Sequence, residues 1–221
     1  MRRISHGNHP VYRRGSRHSK TYGSSVNITA ITNAAEAVAT LSVGHSVVVG
    51  DYLEVTSGWG LLDKRVVRVK TVATNDVTFE GINTTDTTKY PSGTGIGSIR
   101  RITAWSAISQ VKAISASGGE MQFADVTALD DVVAKQIPTI RSAVSMNVDV
   151  FDDPTLAWYA DVSAATDARA PYGLRMSFPN GSKMVANAYW SLQKVPSVNQ
   201  NEAMTTQITL SYAAEPVRYA T

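Results

Sequence analysis

A strict period-two alternation of apolar and polar residues in the second half of the chain constrains the fold most. Residues 172–178 alternate into a turn at residues 179–182, where Asn180 and Gly181 favour the positive φ of a tight hairpin. The return strand places a second apolar series on one face, namely Met184, Ala186, Ala188, Trp190 and Leu192. Because strand side chains point alternately to the two faces of a sheet, this stretch predicts a β-hairpin with one buried face.

Two further segments repeat the alternation. Residues 141–151 place Met146, Val148 and Val150 on one face, and residues 202–219 place Thr206, Ile208 and Leu210 inward. Antiparallel strands with one packed face and one wet face give this pattern. We therefore predict a mainly β protein whose core, residues 103–221, is a β-sandwich or barrel.

The outward faces of these strands are rich in Ser, Thr, Asn and Gln and almost free of Lys and Glu. A monomer in water normally carries more charge on such a face. A symmetric assembly avoids like charges that would meet at each repeat of its interface. We therefore predict that the face meets other subunits or lines a lumen, whereas an ordinary sandwich with a low-charge face is the alternative. The predicted residues are Asn187, Tyr189, Ser191, Gln193, Thr205, Gln207 and Thr209.

Residues 26–102 hold short β-branched runs separated by turn signals such as Gly50-Asp51 and Asn75-Asp76. Strands of this length joined by tight turns predict a small, SH3-like β-barrel module that precedes the core or is inserted into it.

One helix is predicted near residues 154–165. Asp153 suits the N-cap, and Pro154 suits the first helical position. Trp158 and Val162 then share one face and should pack on a sheet.

The first 25 residues read as a basic, flexible arm. Residues 1–20 hold six basic residues and no acid, although the whole chain has a formal net charge of only +3. Such an arm could bind nucleic acid, but few aromatic residues accompany it, so an acidic protein surface is the favoured partner. The predicted contacts join Arg13, Arg14 and Arg17 to the long acidic loop of residues 118–138, which includes Leu129, Asp130 and Asp131.

No residue pattern indicates catalysis or cofactor binding. The chain has no cysteine, so disulfides and thiolate metal sites are excluded. His6 and His9 lack a third ligand at a motif spacing, and no nucleophile elbow, Walker loop or zinc-protease motif occurs. We predict no enzyme activity, no metal, no cofactor and no insertion into a membrane.

Several local motifs, in their order along the chain, point to one family. In the core these are Leu129-Asp130-Asp131, Leu156-Ala157-Trp158-Tyr159, the turn at residues 178–181 and the final segment, residues 201–219. In the front module they are VGDYLEVTSGWGLLDKRVVRV and TTDTTKYPSGTGIGSIRRIT. The chain resembles the tail tube (major tail) proteins of phages with long, flexible, non-contractile tails, including the lambda-like family.

The resemblance implies a structural virion protein whose hexameric rings stack into a hollow tube, through which DNA passes as cargo. It also implies tape-measure, tail tip and tail terminator proteins as partners, and assembly in the host cytoplasm. A lumen that passes DNA must not grip it, so its wall should be neutral or acidic. The acidic loop would then bridge to a neighbouring subunit or ring.

Two other interpretations stay open. A carbohydrate or cell-surface binding module would need Trp59, Trp105, Trp158 or Trp190 as exposed stacking platforms. A related ring-forming tail component would share the fold without forming a tube.

Overall fold

The computed structural model describes residues 15–220, which contain fourteen strands and one helix. The mainly β fold with one flanking helix is confirmed. In chain order the elements are β1 Ser16–Ile31, β2 Val38–Leu41, β3 Tyr52–Ser57, β4 Val66–Ala73, β5 Asp76–Phe79, β6 Gly97–Ala107, β7 Val111–Ser117, β8 Met121–Asp125, β9 Gln136–Arg141, β10 Ser145–Phe151, α1 Ala157–Ala168, β11 Pro171–Ser177, β12 Lys183–Leu192, β13 Thr205–Tyr212 and β14 Val217–Tyr219.

The front of the chain closes into a small barrel. Its strands pair antiparallel in the order β1-β2-β5-β4-β3-β6, and the pairing of β6 with β1 closes the barrel. Closure removes free sheet edges. Trp59, Phe79 and Leu53 are fully buried inside, as the short β-branched runs predict.

The twelve-stranded sheet continues beyond the barrel through β1, and we call this part the second sheet. Its order is β1-β11-β12-β13-β10-β7, and α1 packs on one face. Trp158 and Val162 of α1 join Val148, Ile208 and Leu210 in a separate apolar core. The apolar residues that alternate along β10, β12 and β13 therefore form a buried face, as predicted, because they pack beneath the helix.

The two parts share strands. β1 and β6 run from the barrel into the second sheet, so the predicted division at residues 102 and 103 lies inside β6. The short strand β14 pairs with the start of β12, and its Val217 and Tyr219 pack in the barrel core. The backbone N–H of Arg68 in the barrel donates a 2.8 Å hydrogen bond to the Tyr219 hydroxyl.

Residues 16–25, predicted to belong to a flexible arm, instead form the first part of β1. Ser16, Arg17 and His18 pair with Met176, Arg175 and Leu174 of β11. His18 and Ser19 are buried, although the local sequence is polar and basic. Pairing on both sides of the strand overrides weak local β-propensity here. Residues 1–14 of the predicted arm lie outside the described residues.

The helix begins later than predicted. Its N-cap is Leu156, which makes no side-chain capping bond. The Asp153 carboxylate instead accepts hydrogen bonds from the N–H and hydroxyl of Thr155, at 3.1 and 2.6 Å. This local turn competes with helix initiation, so the predicted cap at Asp153 is wrong.

The hairpin turn is confirmed. Gly181 has φ of 90°, and its N–H donates to the Phe178 carbonyl at 3.0 Å.

Candidate functional surfaces

The open face of the second sheet is an ordered polar surface built from four strands. We call it the polar face. Cross-strand partners form three rows, listed from β12 or β13 to β7: Tyr189–Ser211–Ser145–Ser117, Ser191–Thr209–Asn147–Ser115 and Gln207–Asp149–Ala113. Asp149 is the only charged residue in these rows.

Side-chain hydrogen bonds join neighbouring members within each row. Gln207 Nε2 donates to Asp149 Oδ1 at 2.9 Å, and the Thr209 hydroxyl donates to Asn147 Oδ1 at 3.0 Å. The hydroxyls of Ser117 and Ser145 lie 2.9 Å apart. Such cross-strand pairs hold short polar side chains in place without buried charge. The face is therefore polar and nearly neutral.

The predicted members of this face divide by exposure. Tyr189, Ser191 and Gln193 are exposed, whereas Thr205, Gln207 and Thr209 are half-buried. Asn187 is 0% exposed, so its prediction as a lumen-facing residue is wrong within this chain. The barrel covers this part of β12, because the neighbouring Val185 belongs to the barrel core. Both side-chain amide atoms of Asn187 lack a hydrogen-bond partner among the described residues.

The long acidic loop is a projecting β-hairpin. From here on we call this hairpin the arm; it is distinct from the basic arm predicted for residues 1–25. Its strands are β8 and β9, which form a two-stranded sheet separate from the twelve-stranded sheet of the barrel and the second sheet. Gly118 and Gly119, with φ of 85° and 83°, turn the chain out of β7, and a Cβ at Gly118 would lie 2.0 Å from the Ala143 carbonyl oxygen. The sequence predicted an extended loop or arm here but did not indicate its strands.

The arm carries uncovered apolar side chains. Leu129 and Val132 are fully exposed, and Val133, Ile140 and Phe123 are exposed by 73, 77 and 58%. Exposed apolar side chains grouped in this way mark interaction sites. Only Leu129 of this group was predicted; the short apolar run at residues 132–133 is the sequence signal for Val132 and Val133.

Asp130 and Asp131 differ in their surroundings. Asp131 accepts the Ala128 N–H at 2.9 Å and pairs with Lys135 of the same turn. The Lys135 hydrogen bond, followed by the Ala128 bond, lowers the pKa of Asp131. Among residues 15–220, Asp130 has no ion-pair partner. Asp131 is therefore a structural residue of the arm turn, whereas the Asp130 carboxylate has no such role within the described residues.

Of the three arginines predicted to make contacts, Arg17 is the one within the described residues. Arg17 is exposed on β1, opposite Arg175 of β11, and neither forms an ion pair within the described part of the chain. Arg175 stacks on Trp105 and Tyr52, 4.7 and 5.4 Å from the ring centroids, and burial lowers its pKa. Arg13 and Arg14 lie outside the described residues, as do His6 and His9.

His18 is a buried titratable group beside α1. It is 2% exposed, and its ring lies 4.7 Å from that of Trp190 and 5.1 Å from that of Tyr172. Neither ring nitrogen has a partner among the described residues. Burial lowers the pKa of His18 to about 4, although the Asp161 carboxylate acts in the opposite direction.

The tryptophans do not form an exposed stacking platform. Trp59, Trp158 and Trp190 are buried, and Trp105 packs against Arg175 and Tyr52. Across residues 15–220, no cluster of three or more His, Cys, Asp or Glu side chains could hold a metal ion. The described helix is too short to cross a membrane.

The fold and its surfaces define a mainly β protein with two exposed features, a neutral polar sheet face and an apolar projecting arm. Its sequence matches the model of a family described as phage tail tube protein, TTP, over residues 57–221. This match spans most of the chain, so the chain belongs to the phage tail tube protein family. The protein is accordingly a structural component of a phage tail.

Two solved structures show weaker similarity. One is the tube-terminating cap of an anti-feeding prophage, at 20% identity and a TM-score of 0.34, covering 48% of this chain and 79% of the cap chain. The other is the sheath–tube complex of an extracellular contractile injection system, PVC, in its extended state, at 17% identity and a TM-score of 0.34, covering 48% of this chain and 80% of that chain. TM-scores at this level do not establish a common fold. No curated protein matches the sequence.

Proposed function

We propose that this protein forms hexameric rings that stack into the hollow tube of a long, non-contractile phage tail, and that the polar face lines the lumen through which DNA passes. The observation that carries the proposal is the composition of the polar face. Its three rows hold one carboxylate and no Lys or Arg. DNA would therefore find no cation to bind along this wall.

Placement of the helix supports the same orientation. α1 covers the opposite face of the sheet, where Val148, Leu210 and Trp190 are buried. Of the two faces of this sheet, only the polar face is open over β10 and β13.

Tube formation would occur in the host cytoplasm, together with tape-measure, tail tip and tail terminator proteins. The arm would join neighbouring subunits or rings. Its exposed apolar side chains would lose contact with water on assembly, which favours association by about 25 cal/mol per Å² of apolar surface buried.

Site-specific labelling tests the lumen assignment. The chain has no cysteine, so Thr209→Cys introduces a single thiol on the polar face. In assembled tubes, a maleimide–gold label at this thiol should appear along the tube axis. A matched Ala164→Cys label on the exposed side of α1, which covers the opposite face of the sheet, should appear at the outer wall. Gold from Thr209→Cys on the outer wall refutes the lumen assignment.

The length of the assemblies separates tube formation from the alternative of a related ring-forming tail component. A tube protein gives stacked rings of indefinite length. Single rings that never stack, even with the other tail proteins present, would favour the ring-forming component.

A further inference from the structure

A groove beside β7 forms a second surface that residues 15–220 leave uncovered. We define the β7 groove by Gly15, Ser16, residues 111–114 and residues 176–179, which enclose about 430 Å³. Val111, Ile114 and Phe178 give it apolar walls. Its volume falls in the usual range for pockets that bury a small apolar group, about 300–1,000 Å³. β7 is also an edge strand within residues 15–220, where it pairs with β10 alone.

We propose that the β7 groove receives the arm tip of a second copy of this chain. The tip, residues 128–133, carries Leu129 and Val132, which nothing in the described part of its own chain covers. An apolar tip and an apolar groove would exclude water from each other. The inference rests on the proposed function, because it names the surface that holds the arm in the assembly.

Charge complementarity supports this pairing. Lys112 lies in the groove, and Arg17 lies in an adjoining cavity of about 340 Å³ that shares Gly15, Ser16 and Val111 with it. Neither cation has an ion-pair partner among residues 15–220. The arm tip carries Asp130, whose carboxylate is likewise unpaired there, whereas Asp131 is held by Lys135. A tip seated in the groove brings Asp130 to Lys112 or Arg17.

The two surfaces are placed for contact between copies. The groove flanks the first half of β7, and the arm leaves the chain after Ser117 at the strand's other end. No arm residue lines the groove of its own chain. Because the arm and the groove are different surfaces, their contact is heterologous, and each copy can give one arm and accept another. Such contacts propagate into rings or filaments.

Cross-linking in the cysteine-free chain tests this contact. The variant combines Ala128→Cys, which keeps Leu129, with Ile114→Cys in the groove, and a short bis-maleimide joins thiols that lie near each other. We expect a ladder of multiples of the 23.8 kDa chain in a denaturing gel, because each copy joins two neighbours. A matched variant with Ala128→Cys and Val43→Cys should give no ladder.

A charge exchange provides the second part of the test. With both cysteines present, Asp130→Lys should reduce the ladder several-fold, because it places a cation against Lys112. Adding Lys112→Glu should restore most of the ladder. An unchanged ladder in the Asp130→Lys variant contradicts the charge contact.

Each remaining outcome has a distinct meaning. Rings or tubes without a ladder overturn the arm–groove contact and leave the proposed function intact. A cross-link within a single copy overturns it in favour of an arm that folds back, and a Ser5→Cys link to Ile114→Cys within one copy assigns the groove to the chain's own first residues. If the unmodified protein forms no rings or tubes, the proposed function fails as well.

Discussion

Gln207 Nε2 donates a 2.9 Å hydrogen bond to Asp149 Oδ1 across β13 and β10, so the only charged side chain in the three rows is held by an uncharged neighbour. The carboxylate is thereby fixed within the polar face. The same face holds Thr209 against Asn147 one row further along. In the proposed lumen, this face would offer DNA hydrogen-bonding groups but no cation.

Adding a cation to this wall should slow DNA passage. Thr209→Lys places an ammonium group on the polar face of each subunit, and repeated phosphate contacts add up along a tube. We expect tubes to form, DNA ejection from particles carrying the variant to slow markedly, and the slowing to diminish as salt is raised. Time courses of ejection at several salt concentrations measure this effect.

Thr209→Gln is the matched control, since it adds length without charge and should eject DNA at the normal rate. Ejection by Thr209→Lys particles that is as fast as normal at low salt would refute a lumen-facing polar face.

Removing the apolar tip of the arm should prevent assembly without unfolding the protein. Leu129→Ser and Val132→Ser change fully exposed side chains, so the free energy of unfolding should change by less than about 0.5 kcal/mol. Analytical ultracentrifugation should show that the double variant stays monomeric at concentrations where the unmodified protein assembles. Val43→Ser on the barrel, also exposed, should assemble normally; equal loss in both variants would indicate a general effect of surface polarity.

Burial of His18 should make the fold sensitive to acid. The pKa of His18 falls from 6.5 to about 4 in the folded chain, because burial disfavours the charged ring. Below pH 6.5 the unfolded chain binds a proton that the folded chain does not, so stability is lost as pH falls from about 6.5 to about 4. The full loss is about 3 kcal/mol. Urea unfolding at a series of pH values measures it.

His18→Phe should flatten this pH dependence, since it keeps an aromatic ring between Tyr172 and Trp190 and removes the titration. An equally steep loss of stability between pH 6.5 and 4 in His18→Phe would assign the acid sensitivity to other groups.

The Tyr219 hydroxyl should contribute to holding the barrel against the second sheet. Tyr219→Phe leaves the Arg68 N–H without its 2.8 Å acceptor, and an unpaired buried donor costs about 1–3 kcal/mol. Chemical denaturation should show a loss of this size. Tyr189→Phe, which changes an exposed tyrosine of the polar face, should alter stability by less than about 0.5 kcal/mol. Equal stability of the two variants would refute a role for the Tyr219 hydroxyl.

Local patterns predicted the elements whose causes are local. The hairpin at residues 172–192 and the inward faces of β10 and β13 follow from alternation and from the Asn180–Gly181 turn. The barrel followed from short β-branched runs between turns. These signals depend on residues near one another in the chain, and the structure confirms them.

Long-range contacts decided what the sequence did not reveal. The polar, basic segment at residues 16–25 becomes a strand because β6 and β11 pair with it on either side. Asn187 alternates with apolar residues as a surface residue should, yet the barrel covers it. The β7 groove joins residues more than sixty positions apart in the chain. Neither the burial of Asn187 by the barrel nor the β7 groove leaves a periodic signal in the sequence.

Negative-stain electron microscopy of the purified protein across a concentration series, with and without the other tail proteins, tests the central claim most directly. The account predicts six-fold rings that stack into hollow tubes as concentration rises. A protein that stays a single 23.8 kDa particle under all these conditions, including in the presence of its tail partners, would contradict the claim that it builds a tube.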